Sequence, residues 1–407
     1  MRNMKRKITG KKIKVALFTD VLRENLDGVT HTLYNIIERI PEDRFEYLFI
    51  TPYPPSEKIN LPFPVYTCTY IKFPLYDAYP FALPFFNPGL KKVLDAFSPD
   101  IIHFTGPTLL GRYAVKYAES RNIPLASTYH THFLAYVDYY FKNIPGLRRL
   151  MRYLANRIMK FHYNRCDITF VPTAPIRDEL IKSGIDEKRL LIWGRGIDLH
   201  EFNPKFRNES YINKLTGRGV KRILFVSRLV WEKEVNTLIG IYEQLAKTRS
   251  DARMIITGDG PEREYMEKKM PGAIFTGKLT DRELARIYAS CDIFVFPSIT
   301  ETFGNVVLEA MASGLAVVAA DKGGPKGIIK DGLTGFLAEP KNPDDFCSKI
   351  SMLLDDQQLF SRIRKNAVKY ALSQKWDNLC GKMFDTYEKI IEARKTEEQE
   401  VLDEVAV

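Results

Sequence analysis

The chain has few of the residues that build metal or disulfide centres. Its five cysteines are scattered, with no CxxC pair and no cysteine–histidine cluster, and no Asp-x-Asp motif occurs in its 407 residues. This spacing argues against a zinc site and against a disulfide framework, and it favours a cytoplasmic protein.

Long apolar runs are also missing. No apolar stretch approaches the roughly 18 residues that cross a bilayer, so we expect no membrane span. The basic N-terminus leads into an apolar segment that is too short for a signal peptide. We interpret this region as a basic tail followed by a first strand.

The remaining composition is that of a large globular protein, with 45% hydrophobic, 27% charged and 12% aromatic residues. The length predicts two domains of about 200 residues each. A formal net charge of +10 fits an anionic partner. Nucleic acid, an anionic membrane surface or a nucleotide substrate would each satisfy it, and charge alone does not choose among them.

Short runs rich in Val, Ile and Phe alternate with amphipathic segments, which predicts parallel sheets with helical crossovers. Two such α/β series are expected to form two doubly wound domains that face each other, with ligands bound at the carboxyl ends of the strands. The predicted strands are 13–19, 46–51, 100–104, 125–129, 168–172 and 190–193 in the first series, and 222–227, 253–257, 273–276, 293–297 and 316–320 in the second.

A polar segment with little apolar periodicity separates the two series and predicts the domain boundaries. The predicted units are a first domain over 1–197, a linker over 198–220, a second domain over 221–375, a helix over 376–395 that returns to the first domain, and a solvated acidic tail over 396–407.

The stretch 298–325 carries two carboxylates eight residues apart, Glu301 and Glu309, around a Gly-containing turn. A helix that starts at Asn305 would direct its first backbone N–H groups toward Gly304, and such a helix start binds anions. Glu301 would then lie beside the anion, and Glu309 could accept hydrogen bonds from a ribose. The alternative is an ordinary strand-to-helix turn with two solvated carboxylates.

Two cations stand near the start of the second series. Arg228 follows a predicted strand, and Lys233 comes five residues later, just before a predicted helix. Positive charges in such a loop suit a diphosphate. In isolation, the more ordinary interpretation is a solvated loop.

Taken in order, the motifs SRLVWEK, GDGPE, ETFGNVVLEA and DKGGP resemble the second domain of glycosyltransferase family 4. The resemblance covers nearly the whole chain and implies the GT-B architecture, in which two Rossmann-like domains face each other across a cleft. It also implies that Arg228 and Lys233 hold the donor diphosphate, that Glu301 approaches the donor sugar and that Glu309 binds the ribose. Backbone N–H groups would complete the donor site around Gly304, Asn305 and Val306.

In the first domain, FTDVLRENLDGVTHTLYNIIERI is similar to the family's opening segment and places Gly28 where the donor phosphates approach. In PLASTYHTHFLAYVDYY, His130 corresponds to the family's active-site histidine, although a lone His at a strand end is more often structural.

In IWGRGIDLHEF, Arg195 stands where many family members carry Asn. With the HTHF run, it is similar to the branch that glycosylates diacylglycerol-type lipids, including sulfolipid synthases and lipid mannosyltransferases. Arg195 could contact the sugar or the acceptor, or it could be a packing substitution.

Residues 145–163 combine an apolar stripe at helical spacing with a basic face that includes Arg148, Arg149 and Arg152. Such a helix can lie at an anionic membrane surface, where each nearby cation contributes about 1 kcal/mol. The alternative is a stripe that packs on the domain core while the charges are solvated. The Pro-rich aromatic stretch 64–86 could line the entry of a lipid acceptor or cover a sheet edge.

The resemblance therefore implies a retaining hexosyltransferase that uses a UDP- or GDP-linked sugar. A membrane glycolipid such as a diacylglycerol lipid is the expected acceptor. We expect no metal and no other cofactor, because Arg228, Lys233 and a helix dipole can neutralise the leaving diphosphate. Glu301 and His130 would orient the sugar for same-face attack, with no protein nucleophile.

Three other functions fit parts of the sequence: a sugar-nucleotide epimerase with the same fold, a transferase with a soluble or polysaccharide acceptor, and a non-enzymatic basic protein at membranes. The expected partners are a nucleotide sugar, a lipid or glycolipid acceptor and an anionic membrane surface, with no nucleic acid. The expected location is the cytoplasm, with the inner face of the plasma membrane as the candidate site of peripheral binding.

Overall fold

The computed structural model describes residues 11–24, 28–73 and 76–405, and it describes the side chains of these residues except 72–80, 281 and 397–405. Within these ranges the strands are β1 (Ile13–Phe18), β2 (Phe45–Thr51), β3 (Val65–Thr67), β4 (Tyr70–Phe73), β5 (Tyr76–Ala82), β6 (Ile101–Phe104), β7 (Leu125–Thr128), β8 (Ile168–Val171), β9 (Leu190–Ile192), β10 (Lys221–Val226), β11 (Ala252–Thr257), β12 (Ile274–Gly277), β13 (Ile293–Phe296), β14 (Ala316–Ala320) and β15 (Phe336–Ala338).

The helices connect these strands and cover both faces of the sheets. They are α1 (Gly28–Ile37), α2 (Pro88–Phe97), α3 (Leu109–Arg121), α4 (Phe133–Tyr140), α5 (Pro145–Tyr163), α6 (Ala174–Lys182), α7 (Glu209–Thr216), α8 (Val235–Thr248), α9 (Arg263–Lys269), α10 (Asp281–Ser290), α11 (Asn305–Ala312), α12 (Gly323–Ile328), α13 (Pro343–Asp355), α14 (Gln357–Ser373) and α15 (Trp376–Val405).

Two parallel sheets organise the chain. The first has the strand order β3-β2-β1-β6-β7-β8-β9, and the second has the order β12-β11-β10-β13-β14-β15. Each order is that of a doubly wound fold, which starts in the middle of the sheet, builds to one edge and then returns to build the other. The predicted α/β fold with two facing parallel sheets is confirmed, and every predicted strand is present with ends that differ by at most one residue.

The strands are apolar on both faces because helices cover both faces. In β1, Ala16 and Phe18 join one apolar cluster while Val15 and Leu17 join another, on the opposite side of the sheet. In the second domain all five residues of Ala316–Ala320 are buried in a single large core. The continuous apolar runs in the sequence are therefore central strands of sheets that are buried on both sides.

The predicted linker, 198–220, contains a helix. Helix α7 follows Asn208, whose side-chain oxygen accepts a hydrogen bond from the backbone N–H of Tyr211 at 2.9 Å. Ile212 is fully buried in the core of the second domain. The C-terminal part of this segment is thus attached to the second domain, and a short helix with few apolar residues explains its weak periodicity.

Helix α15 lies against the first sheet. Trp376, Met383 and Tyr387 are buried in the cluster that contains Val15 and Leu17. The helix continues through residues 396–405, the described part of the predicted acidic tail. The end of the chain therefore contributes to the core of the domain that begins it.

The Pro-rich stretch 64–86 forms strands rather than a helix. Strand β3 pairs with β2 at the edge of the first sheet, and β4 pairs with β5 in an antiparallel hairpin. A 3-10 turn, Pro84–Phe86, follows and leaves Phe86 77% exposed. These elements were not predicted because they are short and because Pro residues interrupt the segment.

Candidate active site

The site lies at the point in each sheet where the strand order reverses. In the first sheet this switch falls between β1 and β6, and in the second it falls between β10 and β13. The crossovers leave to opposite sides at these points, so a crevice opens at the carboxyl ends of the strands. The two crevices meet, because the Thr302 hydroxyl after β13 donates to the carbonyl of His130 after β7 at 2.9 Å.

Lys233 and Glu301 form an ion pair in the second-domain crevice. Lys233 lies in a 3-10 turn after β10 and is 6% exposed. The Thr300 hydroxyl donates to the carbonyl of Glu232 at 3.2 Å, which ties the loop that carries Lys233 to the loop that carries Glu301. A buried ammonium group requires such a partner, so the two predicted residues are held together in the structure.

Arg228 lies in the same loop but faces solvent. Its side chain is 58% exposed, and its guanidinium is 3.9 Å from the carboxylate of Glu232. An exposed pair at this distance contributes little to stability. Its exposure leaves the guanidinium accessible to an anion that enters the crevice.

Helix α11 begins in this crevice. Gly304 has a left-handed conformation with φ of 92°, which a residue with a side chain would adopt only with strain. The N–H of Val307 donates back to the Gly304 carbonyl. Among the described residues, no acceptor is found for the N–H groups of Asn305 and Val306. The helix start therefore has the unbonded N–H groups that an anion site needs, and the binding of an anion there stays a prediction.

The start of helix α1 faces the start of α11. A Cβ atom added to Gly28 would lie 3.2 Å from the side-chain nitrogen of Asn305. The first domain therefore approaches the start of α11 closely at this position, and the approach of donor phosphates to Gly28 stays a prediction. Glycine leaves the space between the two helix starts open.

Glu309 lies one turn into α11 and is partly buried. The Tyr288 hydroxyl donates to its Oε2 at 2.9 Å. Burial raises the pKa of Glu309 to about 7, an effect that the Tyr288 hydrogen bond opposes and the charge of Glu201 adds to. A carboxyl with this pKa loses its proton as the pH rises through about 7, and the carboxylate is the better hydrogen-bond acceptor for a ribose.

His130 and Arg195 are neighbours in the first-domain wall of the cleft. His130 is 9% exposed and Arg195 is 3% exposed. Arg195 Nη2 lies 3.0 Å from His130 Nδ1, and Arg195 Nη1 donates to the carbonyl of Gly194 at 3.1 Å. The guanidinium carbon is 5.1 Å from the centre of the Trp193 ring. Arg195 is thus fixed in the wall.

Two further polar groups in the cleft were missed by the sequence analysis. Asp20, after β1, accepts a hydrogen bond from the Thr108 hydroxyl at 3.1 Å, and burial raises its pKa to about 6. Tyr136, on α4, is close enough to Lys233 and Glu301 to be affected by their charges. Both residues stand in segments that the resemblance identified, but a single Asp or Tyr in a loop has no spacing that would distinguish it.

Helix α5 presents its apolar stripe to solvent. Leu150 is 51% exposed, and Leu147, Leu154 and Ile158 are between 37% and 48% exposed. A different face of the helix is buried, with Met159, His162 and Tyr163 in contact with the first domain. The alternative in which this stripe packs on the core is therefore wrong for these four residues.

The three arginines named on α5 differ in their surroundings. Arg148 and Arg149 are exposed, and among the described residues neither takes part in an ion pair. Arg152 pairs with Asp138 of α4. Arg152 therefore helps to hold α4 against α5, and the two cations nearer the start of the helix remain for an external partner.

The described part of the chain contains neither a metal-binding cluster nor a membrane-spanning helix. No group of three or more His, Cys, Asp or Glu side chains is placed there to hold a metal ion. No helix described is both long and apolar enough to cross a bilayer. The expectation that no metal is needed stays a prediction.

Comparisons with known families match both halves of the chain. The model for Glycosyltransferase Family 4 matches residues 26–201, and the model for glycosyl transferases group 1 matches residues 208–370. Two paired Rossmann-like domains with this site between them define a GT-B glycosyltransferase.

The individual proteins to which the chain is similar include glycosyltransferases. The chain is 32% identical to a GDP-mannose-dependent alpha-mannosyltransferase of Corynebacterium glutamicum, over 93% of this chain and 89% of the relative. It is 36% identical to a sulfoquinovosyl transferase of Arabidopsis thaliana, over 72% of this chain and 57% of the relative. It is 23% identical to an alpha-monoglucosyldiacylglycerol synthase of Acholeplasma laidlawii, over 87% and 92%.

Among solved structures, a sucrose-phosphate synthase from Thermosynechococcus elongatus has the same fold. Its TM-score is 0.75 at 20% identity, over 94% of this chain and all of that one. The chain belongs to glycosyltransferase family 4 and is an enzyme of that family. The resemblance drawn from the sequence motifs is confirmed.

Proposed function

We propose that the enzyme transfers a hexose from a nucleoside diphosphate sugar to the hydroxyl of a lipid acceptor, with retention of the anomeric configuration. The exposed apolar stripe of α5 carries the lipid part of this proposal, because it lies in the first domain, which faces the donor site. Relatives named for mannosyl, sulfoquinovosyl and glucosyldiacylglycerol transfer support a glycolipid product.

The donor would bind in the second-domain crevice. Its diphosphate would accept hydrogen bonds from the N–H groups of Asn305 and Val306 and would be neutralised by Lys233 and Arg228. The sugar would replace Lys233 as the partner of Glu301. The ribose hydroxyls would donate to Glu309 beside Tyr288.

In the reaction, the acceptor oxygen forms a bond to C1 of the hexose on the face that the diphosphate leaves. The C1–oxygen bond to the diphosphate breaks, and its electron pair stays on the diphosphate. A diphosphate oxygen takes the proton of the acceptor hydroxyl. Glu301 and His130 would orient the sugar and stabilise the positive charge that develops on it, while the closed cleft excludes water.

No metal takes part in this proposal, because Lys233, Arg228 and the start of α11 supply the positive charge that the leaving group needs. The first test is a thermal-shift screen with UDP, GDP, ADP and their glucose, galactose and mannose conjugates, repeated with EDTA. A ligand that binds the folded state raises the midpoint according to RT ln(1 + [L]/Kd). A selective rise that survives EDTA supports the proposal, and a rise lost with EDTA contradicts its metal-free part.

For the acceptor, the α5 surface consists of the stripe Leu147, Leu150, Leu154 and Ile158 with Arg148 and Arg149. Its chemistry suits an anionic bilayer, since leucines can enter the interface while arginines meet lipid phosphates. Phe86 adds an exposed aromatic ring in the same domain. We propose a cytoplasmic enzyme bound peripherally to the inner face of the plasma membrane.

Sedimentation with anionic liposomes tests the α5 surface. Replacing Arg148 and Arg149 with Ser should weaken binding about 30-fold, because two cations contribute about 2 kcal/mol. The matched control replaces the exposed second-domain residues Lys214 and Arg218 with Ser and should leave binding unchanged. Equal losses in both variants would indicate binding through net charge alone.

The apolar stripe needs its own test. Replacing Leu147, Leu150 and Leu154 with Ser should abolish sedimentation, whereas Ser at Leu333 and Leu372, which are exposed in the second domain, should not. Transfer to diacylglycerol in liposomes should fall with binding. Efficient transfer to a soluble or polysaccharide acceptor by the α5 variant and by its control alike would show that the α5 surface is dispensable and that the acceptor is not a lipid.

A further inference from the structure

The contact between Arg195 and His130 defines the protonation of the imidazole. Arg195 Nη2 lies 3.0 Å from His130 Nδ1, and both groups are buried. A guanidinium can only donate hydrogen bonds, so Nδ1 must act as the acceptor. The proton of the neutral imidazole must then be on Nε2.

His130 Nε2 is a buried atom, and in the part of the chain that the structure describes it has no hydrogen-bond partner. A buried N–H without an acceptor costs free energy, so the arrangement is complete only when a ligand supplies one. The backbone of His130 is held against the donor side by Thr302, which follows Glu301. His130 is therefore at the boundary between the two domains, where the sugar would lie.

Neutral groups, rather than an acidic side chain, hold Arg195 in place. Its Nη1 donates to the Gly194 carbonyl and its guanidinium lies near the Trp193 ring. Within the described residues, no carboxylate forms an ion pair with it. The cation is thus kept in the cleft wall by neutral groups, and the contact that relates it to the site is the one to His130.

We propose that Arg195 is a positioning residue, which holds His130 as the neutral Nε2–H tautomer so that Nε2 donates a hydrogen bond to the donor sugar or the departing oxygen. This inference rests on the proposed function. It differs from both alternatives that the sequence left open, a direct contact with the sugar or the acceptor and a packing substitution, because the guanidinium is engaged in the wall and contacts His130.

The surroundings of His130 favour its neutral form. Burial, the charge of Arg195 and the neighbouring His103 hold the pKa of His130 well below its usual range. In the second domain, the loop that contacts the His130 backbone carries Glu301, which is paired with Lys233. His130 should therefore stay neutral from pH 5.5 to 8 in the intact enzyme.

NMR of the enzyme labelled with ¹⁵N-histidine tests the tautomer directly. The chain has six histidines, and the His130→Gln variant assigns the signal. We expect Nδ1 to have the shift of an unprotonated nitrogen, with no titration between pH 5.5 and 8. An Nδ1–H tautomer, or a titration near pH 6.5, would overturn the proposal in the wild-type enzyme, whatever the variants do.

Two substitutions of Arg195 distinguish its role as a hydrogen-bond donor from the space that its side chain fills. Arg195→Met keeps much of the length but cannot donate, so the His130 signal should shift to a mixture of tautomers and titrate. Arg195→Lys can still donate and should keep the wild-type tautomer. If Arg195→Met does not fold, the wild-type spectrum and the lysine variant still decide the matter.

Kinetics gives the functional readout. In Arg195→Met, kcat should fall about 10- to 100-fold, the scale of one hydrogen bond in the transition state, while donor KM changes less than about threefold. Arg195→Lys should recover most of kcat. A loss confined to KM would mean a direct substrate contact and would contradict the positioning role. Failure of the thermal-shift screen would refute the donor assignment, whereas the NMR result tests Arg195 separately.

Discussion

In the proposed donor site, the raised pKa of Glu309 predicts that donor binding depends on pH. Burial holds this carboxyl at a pKa of about 7, with the Tyr288 hydroxyl on one of its oxygens. A ribose hydroxyl donates more strongly to a carboxylate than to a carboxylic acid. Donor binding should therefore favour the ionised form and expel a proton wherever Glu309 is protonated in the free enzyme.

The size of the effect follows from the fraction that is ionised. With a pKa of about 7, Glu309 is about 90% protonated at pH 6 and about 10% protonated at pH 8. If the bound donor requires the ionised form, its Kd should decrease about tenfold between these two values. Above pH 8 the curve should be flat.

Isothermal titration with a nucleotide sugar measures this change, since its diphosphate has no ionisation in the range and a free nucleoside diphosphate does. Titrations in buffers with different ionisation enthalpies should also show proton release near pH 6. In Glu309→Gln the pH dependence should disappear while binding is weaker at pH 8. A wild-type Kd that is equal at pH 6 and pH 8 would refute the assignment of Glu309 to the ribose.

The same group gives a stability effect of definite sign. Because the pKa of Glu309 in the folded state lies above its usual value of 4.5, the folded state binds more protons than the unfolded state between the two values. The free energy of unfolding should then decrease as the pH rises from about 4.5 to about 7, by up to about 3 kcal/mol for Glu309. In Glu309→Gln this contribution should be absent.

The other predictions concern the leaving group, the ion pair and the last helix. If each cation contributes about 3 kcal/mol to the leaving diphosphate, Arg228→Ala and Lys233→Ala should each lower turnover at least ~100-fold. Unchanged turnover in either variant would remove that assignment. Glu301→Gln should slow transfer yet bind the nucleoside diphosphate product several-fold more tightly, as measured by calorimetry, because Lys233 loses its internal partner. Trp376→Ala should lower the free energy of unfolding by about 3–5 kcal/mol in urea, and a loss below ~1 kcal/mol would contradict its role as the anchor of α15.

The sheet architecture was predictable because its signal is local and repeated. Strands that are buried on both faces, such as Ala316–Ala320, are continuous apolar runs that polar loops interrupt. The second-domain site was predictable for a related reason, since Lys233 and Glu301 stand in ordered motifs whose strands fall side by side at a switch point.

Contacts between distant segments were not predictable. The sequence shows that α5 has an apolar stripe, but only the packing of Met159 and Tyr163 shows which face is buried. The pairing of Arg195 with His130 joins residues 65 positions apart, and that of Glu309 with Tyr288 depends on how α10 lies against α11. Such contacts depend on the relative placement of elements, which a single sequence does not encode in any spacing.

The ion pair of Lys233 and Glu301 bears on which ligand the site prefers. A nucleoside diphosphate would attract Lys233 but would leave the Glu301 carboxylate, only 25% exposed, without its partner. A partly buried charge without a partner is costly. An intact nucleotide sugar supplies hydroxyls for Glu301 at the same time, so it compensates both residues. The pair should therefore favour the donor over the product, and loss of the sugar in the reaction should weaken the hold on the diphosphate and assist its release.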